Sequence, residues 1–350
     1  MKLQGAFTAL VTPMTKNGEV DYEGLEKNLE FQVSQGIAGV VPVGTTGESP
    51  TLDWEEHNLV IERTIDAVKH RCKVIAGAGS NSTRESLVSA KHAAQSGADA
   101  VLLVDCYYNG PSSQELRDEY YAVVAESIPE TIVIPYVIPG RTGTALAVED
   151  LAILSSKYPN ISAVKEATGD LSRMALTREL CGQGFSILSG DDDLTYKMLI
   201  DPAIQADGVI SVVTNVAPGP TSEMVNAVLS GENQKASELA KKLSPLFGIV
   251  TVKVENERLL PNGKTVKVAD KYRNPLAIKT LMSALGIPSG PCRRPIGKMS
   301  AAGVQIVRDA VTKVWQDSPE ILKPLESFYD IDIESRIYDE KVWNELAAVS

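Results

Sequence analysis

The sequence holds little that could carry metal or redox chemistry. Its four cysteines, Cys72, Cys106, Cys181 and Cys292, are scattered without a Cys-x-x-Cys pair, and its three histidines, His57, His70 and His92, do not stand at metal-ligand spacing. A disulfide framework and a structural zinc site are excluded. The chain is expected to be reduced, with no metal and no cofactor, and imidazole-centred catalysis has few candidates. No apolar run reaches the roughly 18 residues that a membrane span needs, and the first residues lack a signal-peptide cleavage pattern, so a cytoplasmic location is expected. No Gly-x-Gly-x-x-Gly follows the first apolar run, and no acid stands where a dinucleotide's ribose would require one. Cations are also scarce. Thirty-four Lys and Arg against 45 Asp and Glu leave a net charge of −11 and a pI near 5.0, which argues against nucleic acid and anionic membrane surfaces as partners. Small anions bound by local arginines and backbone amides stay compatible with it.

What the chain does have is a series of Val- and Ile-rich runs alternating with helical patterns. At 350 residues with 43% hydrophobic content it can bury one large core. The runs cover residues 5–12, 37–43, 73–78, 100–104, 131–136, 161–165, 186–189 and 208–213. Between them lie amphipathic stretches such as 21–35, 53–70, 83–96 and 113–127, each opening near an Asp, Ser or Thr able to cap a helix. Eight strand-helix repeats predict an α/β fold, a closed (β/α)8 TIM barrel over residues 1–230, in preference to an open doubly wound sheet. Residues 231–300 read as a C-terminal helical region. It is interrupted at 250–270 by an alternating stretch with Pro261, Asn262 and Gly263 in its middle, a hairpin signal. Residues 301–350 form a third segment, a helix at 301–315 followed by an acidic extension. From Asp317 onward nine acids face only Lys323, Arg336 and Lys341, six of the eleven net negative charges. Phe328, Tyr329, Ile333, Tyr338 and Trp343 make this tail too aromatic for a disordered one, and it is expected to dock on the barrel or on a neighbouring subunit.

In such a barrel, ligands bind at the carboxyl ends of the strands. The sixth run ends in Lys165, with Thr168-Gly169-Asp170 and a new helix directly after it. Burial there disfavours the charged amine, and only the free amine attacks a ketone, so Lys165 is the candidate Schiff-base nucleophile. The alternative is a lysine that reaches solvent or pairs with Glu166. The second run leads into Gly44-Thr45-Thr46-Gly47-Glu48-Ser49. Its glycines allow a tight turn and its amides and hydroxyls can cradle a carboxylate, unless it is an ordinary turn capping the next helix. The fourth leads into Tyr107-Tyr108-Asn109 and the fifth ends at Tyr136. Tyrosines either pack or pass protons, and a phenol with a pKa of about 10 needs help from other hydroxyls. Arg141, in Pro139-Gly140-Arg141, offers a fork for a carboxylate or is a surface arginine. Together these groups fit an enzyme that binds a 2-oxo acid as an imine and uses it as a carbon nucleophile.

Gly44-Thr45-Thr46-Gly47-Glu48-Ser49, Tyr107-Tyr108-Asn109, Pro139-Gly140-Arg141-Thr142-Gly143, Val164-Lys165-Glu166-Ala167-Thr168-Gly169 and Ser189-Gly190-Asp191-Asp192 stand in one register between about residues 5 and 295. In that order and spacing the chain resembles the dihydrodipicolinate synthase and N-acetylneuraminate lyase superfamily of class I pyruvate aldolases. Thr45-Thr46 and Arg141 resemble the synthase branch, which condenses pyruvate with L-aspartate 4-semialdehyde in lysine and diaminopimelate biosynthesis. The resemblance implies that Lys165 forms the imine with pyruvate and that Thr46 holds the pyruvate carboxylate. It implies that Tyr136 shuttles protons, that Thr45 links Tyr136 to Tyr108, and that Tyr108 reaches into a partner subunit's site. Gly190 and Ile210 would line the pocket, and Arg141 would bind the carboxylate of the second substrate. A homo-oligomer follows, at least a dimer and by family habit a dimer of dimers. Family members inhibited by lysine carry a second site, matched here by Ser49, Trp54, His57, Asn81, Glu85 and Tyr107.

The chain also departs from that family pattern. Asp105-Cys106 replaces a usual Thr-Pro, Val137 replaces a common Asn, and Pro50 replaces a small residue beside the lysine site. The 250–270 insertion and the tail are expected to lie off the catalytic face and to affect assembly. Two other readings stay open. One keeps the imine with another acceptor, as sialate and 2-keto-3-deoxy sugar acid lyases do; Arg141 with Thr45 speaks against it. The other is a non-catalytic, metabolite-sensing barrel, which has no need for Lys165, Tyr136, Thr45 and Tyr108 together.

Overall fold

Eight parallel strands pair in chain order: β1 (Gly5–Ala9), β2 (Gly39–Val41), β3 (Lys73–Gly77), β4 (Ala100–Val104), β5 (Ile132–Val137), β6 (Ala163–Glu166), β7 (Ser186–Ser189) and β8 (Gly208–Ser211). β8 returns to pair with β1, closing the expected TIM barrel and excluding an open sheet. The seam is close. Gly5 pairs with Gly208, and a Cβ on Gly208 would lie 2.0 Å from the Gly5 carbonyl oxygen, so only glycine fits. The strands are buried on both faces, which is why each reads as an unbroken apolar run. The structure is a computed structural model that describes residues 2–348; Met1, and Val349 and Ser350 of the predicted extension, lie outside the described residues.

Around the barrel run α1 (Tyr22–Ser34), α2 (Trp54–Val68), α3 (Thr83–Ser96), α4 (Ser113–Glu115), α5 (Ala122–Ser127), α6 (Pro139–Thr142), α7 (Val148–Lys157), α8 (Leu171–Cys181), α9 (Thr195–Ile200) and α10 (Pro218–Leu229). Asp21, Asp53 and Asp170 cap α1, α2 and α8 by accepting from first-turn N–H groups, as their positions suggested. The 113–127 stretch is not one uniform helix. A π-helical turn, Leu116–Tyr121, separates α4 from α5. It lets two consecutive tyrosines face the core, where Tyr120 donates to the Val104 carbonyl and Tyr121 to that of Leu103.

Beyond the barrel come α11 (Asn233–Phe247), an antiparallel hairpin of β9 (Thr251–Leu259) and β10 (Thr265–Arg273), α12 (Leu276–Leu285) and α13 (Ala301–Asp317). The acidic extension is helical: α14 (Lys323–Tyr329), α15 (Ile333–Tyr338) and α16 (Glu340–Leu346). It docks on this chain's own barrel through its apolar residues. Tyr329 packs on Phe31 of α1 at 5.3 Å between ring centroids and donates to Asn28 at 2.9 Å. Arg336 donates to the Ala284 carbonyl at the end of α12, and the buried Trp343 donates to the Ile337 carbonyl. Among the described residues no helix is long and apolar enough to cross a membrane.

Candidate active site

Side chains alternate along β6, so Lys165 and Glu166 point to opposite faces. Glu166 accepts from Arg173 of α8 at 3.1 Å, and the alternative Lys165–Glu166 pair does not form. Nor does Lys165 reach solvent: it is 6% exposed, with Nζ 4.2 Å from the ring centroid of Tyr136, its register neighbour in β5. Burial lowers the Lys165 amine to about 8; Asp191 and Asp192 counter that shift, and Arg141 adds to it. At pH 7 about a tenth of such an amine is free, against about one part in three thousand at its ordinary value.

Tyr136 is buried, and burial pushes its phenol up to about 12, against a smaller downward pull from Arg141; its hydroxyl bonds to Thr45. Thr46 accepts from the Asn274 amide at 2.9 Å. The loop that presents both threonines holds two non-glycine residues in the left-handed region, Val43 (φ 47) and Glu48 (φ 58), a strain that persists only where the surroundings over-determine it. Here they do. Lys279 of α12 donates to Glu48 at 2.6 Å and to the carbonyls of Pro291 and Thr12 at 2.9 and 3.2 Å, while the second Glu48 oxygen accepts from the Arg293 N–H at 2.8 Å. Sequence reading does not single out this buried pair, because Glu48 reads as a turn acid and Lys279 as an ordinary helix lysine.

Lys165, Tyr136, Thr45, Thr46, Arg141, Gly190 and Asp191 line a cavity of about 150 Å³. A Cβ at Gly190 would lie 2.7 Å from the Ala167 Cβ and 3.1 Å from the Lys165 Cε, so a side chain there would displace the lysine. Asp191 also went unassigned in the sequence, although its motif was visible. Its carboxyl is raised to about 6, first by burial and then by Asp193, and it opposes the burial shift of Lys165. Asp192 accepts from the Val212 and Val213 N–H groups at 2.9 and 3.3 Å. Ile210 is buried in β8, and it is Val212 that faces the cavity. Tyr108 stands apart from the other site residues, 91% exposed with φ 78.

The insertion does not lie off the catalytic face. Val250, Thr251, Lys271, Arg273 and Asn274 line the same cavity. Arg141 donates to the Asn274 carbonyl at 3.0 Å, and Arg273 donates to the Gly140 carbonyl at 2.7 Å. The reason is connectivity: the hairpin leaves and rejoins the chain between α11 and α12, and α12 is already clamped to the β2 loop through Lys279.

A second cavity of about 420 Å³ opens beside the first and shares Thr45, Tyr136 and Arg141 with it. Ser49, Trp54, His57, Glu85 and Tyr107 line it, together with Pro50. Asn81 is outside this lining and meets Tyr107 through a backbone hydrogen bond to the phenol. His57 is buried and lowered to about 4, chiefly by burial, so it is neutral at physiological pH; the Trp54 ring meets it at 5.1 Å. Glu85 accepts from the Ser80 hydroxyl.

The Dihydrodipicolinate synthetase family is matched over residues 2–314, from the approach to β1 into α13. The chain belongs to this family. A protein of Methanothrix thermoacetophila named 4-hydroxy-tetrahydrodipicolinate synthase is 42% identical over 312 residues, covering 89% of this chain and 97% of that protein. The structure of the 4-hydroxy-tetrahydrodipicolinate synthase of Methylacidiphilum fumariolicum matches with a TM-score of 0.81 at 35% identity, covering 92% of this chain and 99% of that one. The dihydrodipicolinate synthase of Cyanidioschyzon merolae, solved with lysine bound, matches with a TM-score of 0.79 at 32% identity, covering 89% and 98%. The dihydrodipicolinate synthetase match takes in the hairpin and stops before α14, so the docked acidic extension lies beyond it.

Proposed function

We propose that this chain is a Schiff-base-forming lyase that condenses pyruvate with L-aspartate 4-semialdehyde to 4-hydroxy-tetrahydrodipicolinate, a step of lysine and diaminopimelate biosynthesis. The observation that carries the reading is the Lys165 amine, lowered to about 8 at a barrel mouth and set against Tyr136. The free amine adds to C2 of pyruvate, and loss of water gives the imine. A proton then leaves C3, with the imine nitrogen as electron sink, and the enamine carbon attacks the acceptor's aldehyde. The resulting alkoxide takes up a proton to become the 4-hydroxyl. Attack of the acceptor's own amine on the imine carbon closes the ring and frees Lys165, so the net loss is one water.

Each group has a task in this scheme. Tyr136, protonated at neutral pH, donates to the departing hydroxyl, and Thr45 is the neighbour that hands the proton on. Thr46, oriented by Asn274, and the amides around Gly47 hold the pyruvate carboxylate. Gly190 leaves room for the lysine, and Arg141 at the rim takes the acceptor carboxylate. Tyr108, projecting from its own chain, completes the relay in a partner's site, which makes a dimer the smallest competent unit. The cavity of about 420 Å³ takes L-lysine as a feedback inhibitor, with Glu85 for the ammonium and Trp54 over the alkyl chain; the lysine-bound relative supports that assignment. The synthase names of the compared relatives support aspartate semialdehyde over a sugar aldehyde as acceptor.

The test is intact mass and peptide mapping after incubation with pyruvate and borohydride, which reduces an imine to a stable adduct. An adduct on Lys165 is expected, followed by turnover with aspartate semialdehyde and not with sugar aldehydes. A folded sample that binds pyruvate but yields no adduct would overturn the imine reading.

A further inference from the structure

The β9–β10 hairpin has two unlike faces. In its register Val252 pairs with Tyr272, and this face packs on α13, where the Ser300 N–H donates to the Tyr272 hydroxyl at 3.1 Å. On the other face Thr251 pairs with Arg273 and Lys253 with Lys271. Alternation therefore sets three exposed cations, Arg273, Lys271 and Lys253, side by side at the hairpin's base. Toward the turn the same face carries Glu255, and Glu257 opposite Lys267, so the positive charge is confined to the end nearest the barrel. That end lines the Lys165 cavity through Arg273 and Lys271.

The two arginines at this rim hold each other's backbone. Arg273 Nη1 donates to the carbonyl of Gly140, the residue before Arg141, and Arg141 Nη2 donates to the carbonyl of Asn274, the residue after Arg273. Among the described residues neither side chain makes another hydrogen bond or an ion pair. Surrounding protein disfavours the Arg141 charge, Tyr136 counters that, and Arg273 adds to it, although the residue stays exposed at the rim. Two guanidinium groups held together against their repulsion, with N–H groups to spare and, among the described residues, no carboxylate bonded to either, leave a place that a ligand's carboxylate would stabilise.

We propose that the hairpin completes the acceptor subsite: Arg273 binds the carboxylate of the aldehyde acceptor jointly with Arg141, with Lys271 adding positive charge behind them. Arg273 is then a specificity-determining residue contributed by the insertion. The proposal rests on the acceptor reading given above, in which the pyruvate carboxylate is held separately at Thr46, so loss of Arg273 acts on one substrate and not on both.

The experiment compares the full-length protein with Arg273→Gln, Arg273→Lys and Lys267→Gln. Lys267 lies six residues toward the turn, roughly 20 Å along the strand, and its loss is expected to change nothing. Arg273→Gln is expected to raise KM for L-aspartate 4-semialdehyde about tenfold, equivalent to about 1.4 kcal/mol, with KM for pyruvate within about twofold of the parent. The yield of trapped Lys165 adduct stays unchanged, and Arg273→Lys restores part of the acceptor affinity. If Arg273 only braces the Gly140 turn, both KM values rise together, or kcat falls with acceptor KM unmoved; either result overturns the proposal while the imine chemistry stands. Absence of the Lys165 adduct in the parent protein overturns the underlying chemistry, and this proposal with it.

Discussion

Replacing Lys165 with Met is expected to stabilise the fold while abolishing imine formation. In the folded protein the amine is lowered from 10.5 to about 8, chiefly by burial. The folded state thus prefers a neutral amine, whereas the unfolded chain keeps its proton up to its ordinary pKa. The cost of burying this lysine is fully present below pH 8, shrinks as pH rises and vanishes above pH 10.5. A 2.5-unit difference at about 1.36 kcal/mol per unit gives about 3 kcal/mol at pH 7, falling to about 1.5 kcal/mol at pH 9.5. Met has similar reach and no charge to desolvate. For 350 residues, an unfolding entropy of roughly 0.7 kcal/mol/K turns 3 kcal/mol into a rise in Tm of about 4 °C. Differential scanning calorimetry of both proteins at pH 7 and 9.5, without substrate, reads this directly. The gain should roughly halve between the two values. A variant no more stable at pH 7, or equally stabilised at both, would refute the claim that desolvation activates the nucleophile. The rate of adduct trapping in the parent should rise through pH 8 for the same reason.

Two further outcomes are expected. L-lysine titrated into a steady-state assay should lower the rate through the cavity lined by Trp54, His57 and Glu85, and an unchanged rate at millimolar lysine would remove that assignment. Tyr329→Ala should empty the contact between the acidic extension and Phe31 and leave Asn28 without its donor, at a cost of about 3 kcal/mol; the melting temperature should fall while the pyruvate adduct on Lys165 forms as before.

Burial on both faces demands apolar residues at every strand position, so the eight runs mark the barrel to within a few residues. A lysine that ends such a run can lie only at the mouth. The meeting of Lys165, Tyr136 and Thr45 on one cavity was legible for that reason: they stand at or just past strand ends, where position alone implies convergence. The Glu48–Lys279 clamp was not legible, because its partners are 231 residues apart and each is ordinary in its own segment. The inward pair Tyr120 and Tyr121 depends on a π turn that no 3.6-residue count announces. The hairpin was legible as a hairpin but not in its orientation, since alternation declares two faces without saying which one meets α13. A net charge averaged over the whole chain likewise hid a local column of cations.

Two departures from the family pattern brace the segment that bears Arg141. Asp105, where Thr is usual, is buried; it accepts from the Tyr121 hydroxyl and from the Leu146 N–H, and burial raises it to about 7. Leu146 lies just past α6, the short helix that carries Arg141. From the hairpin, Arg273 donates to the Gly140 carbonyl of that helix. The segment bearing Arg141 is thus held both by an added carboxylate and by an added strand. Lys165 and Tyr136 stand in β6 and β5 of the barrel itself, and the loop that presents Thr45 is held by the Glu48–Lys279 clamp. These two departures therefore fall on the wall assigned to the second substrate, and variation there should alter which aldehyde is accepted while leaving the imine step untouched.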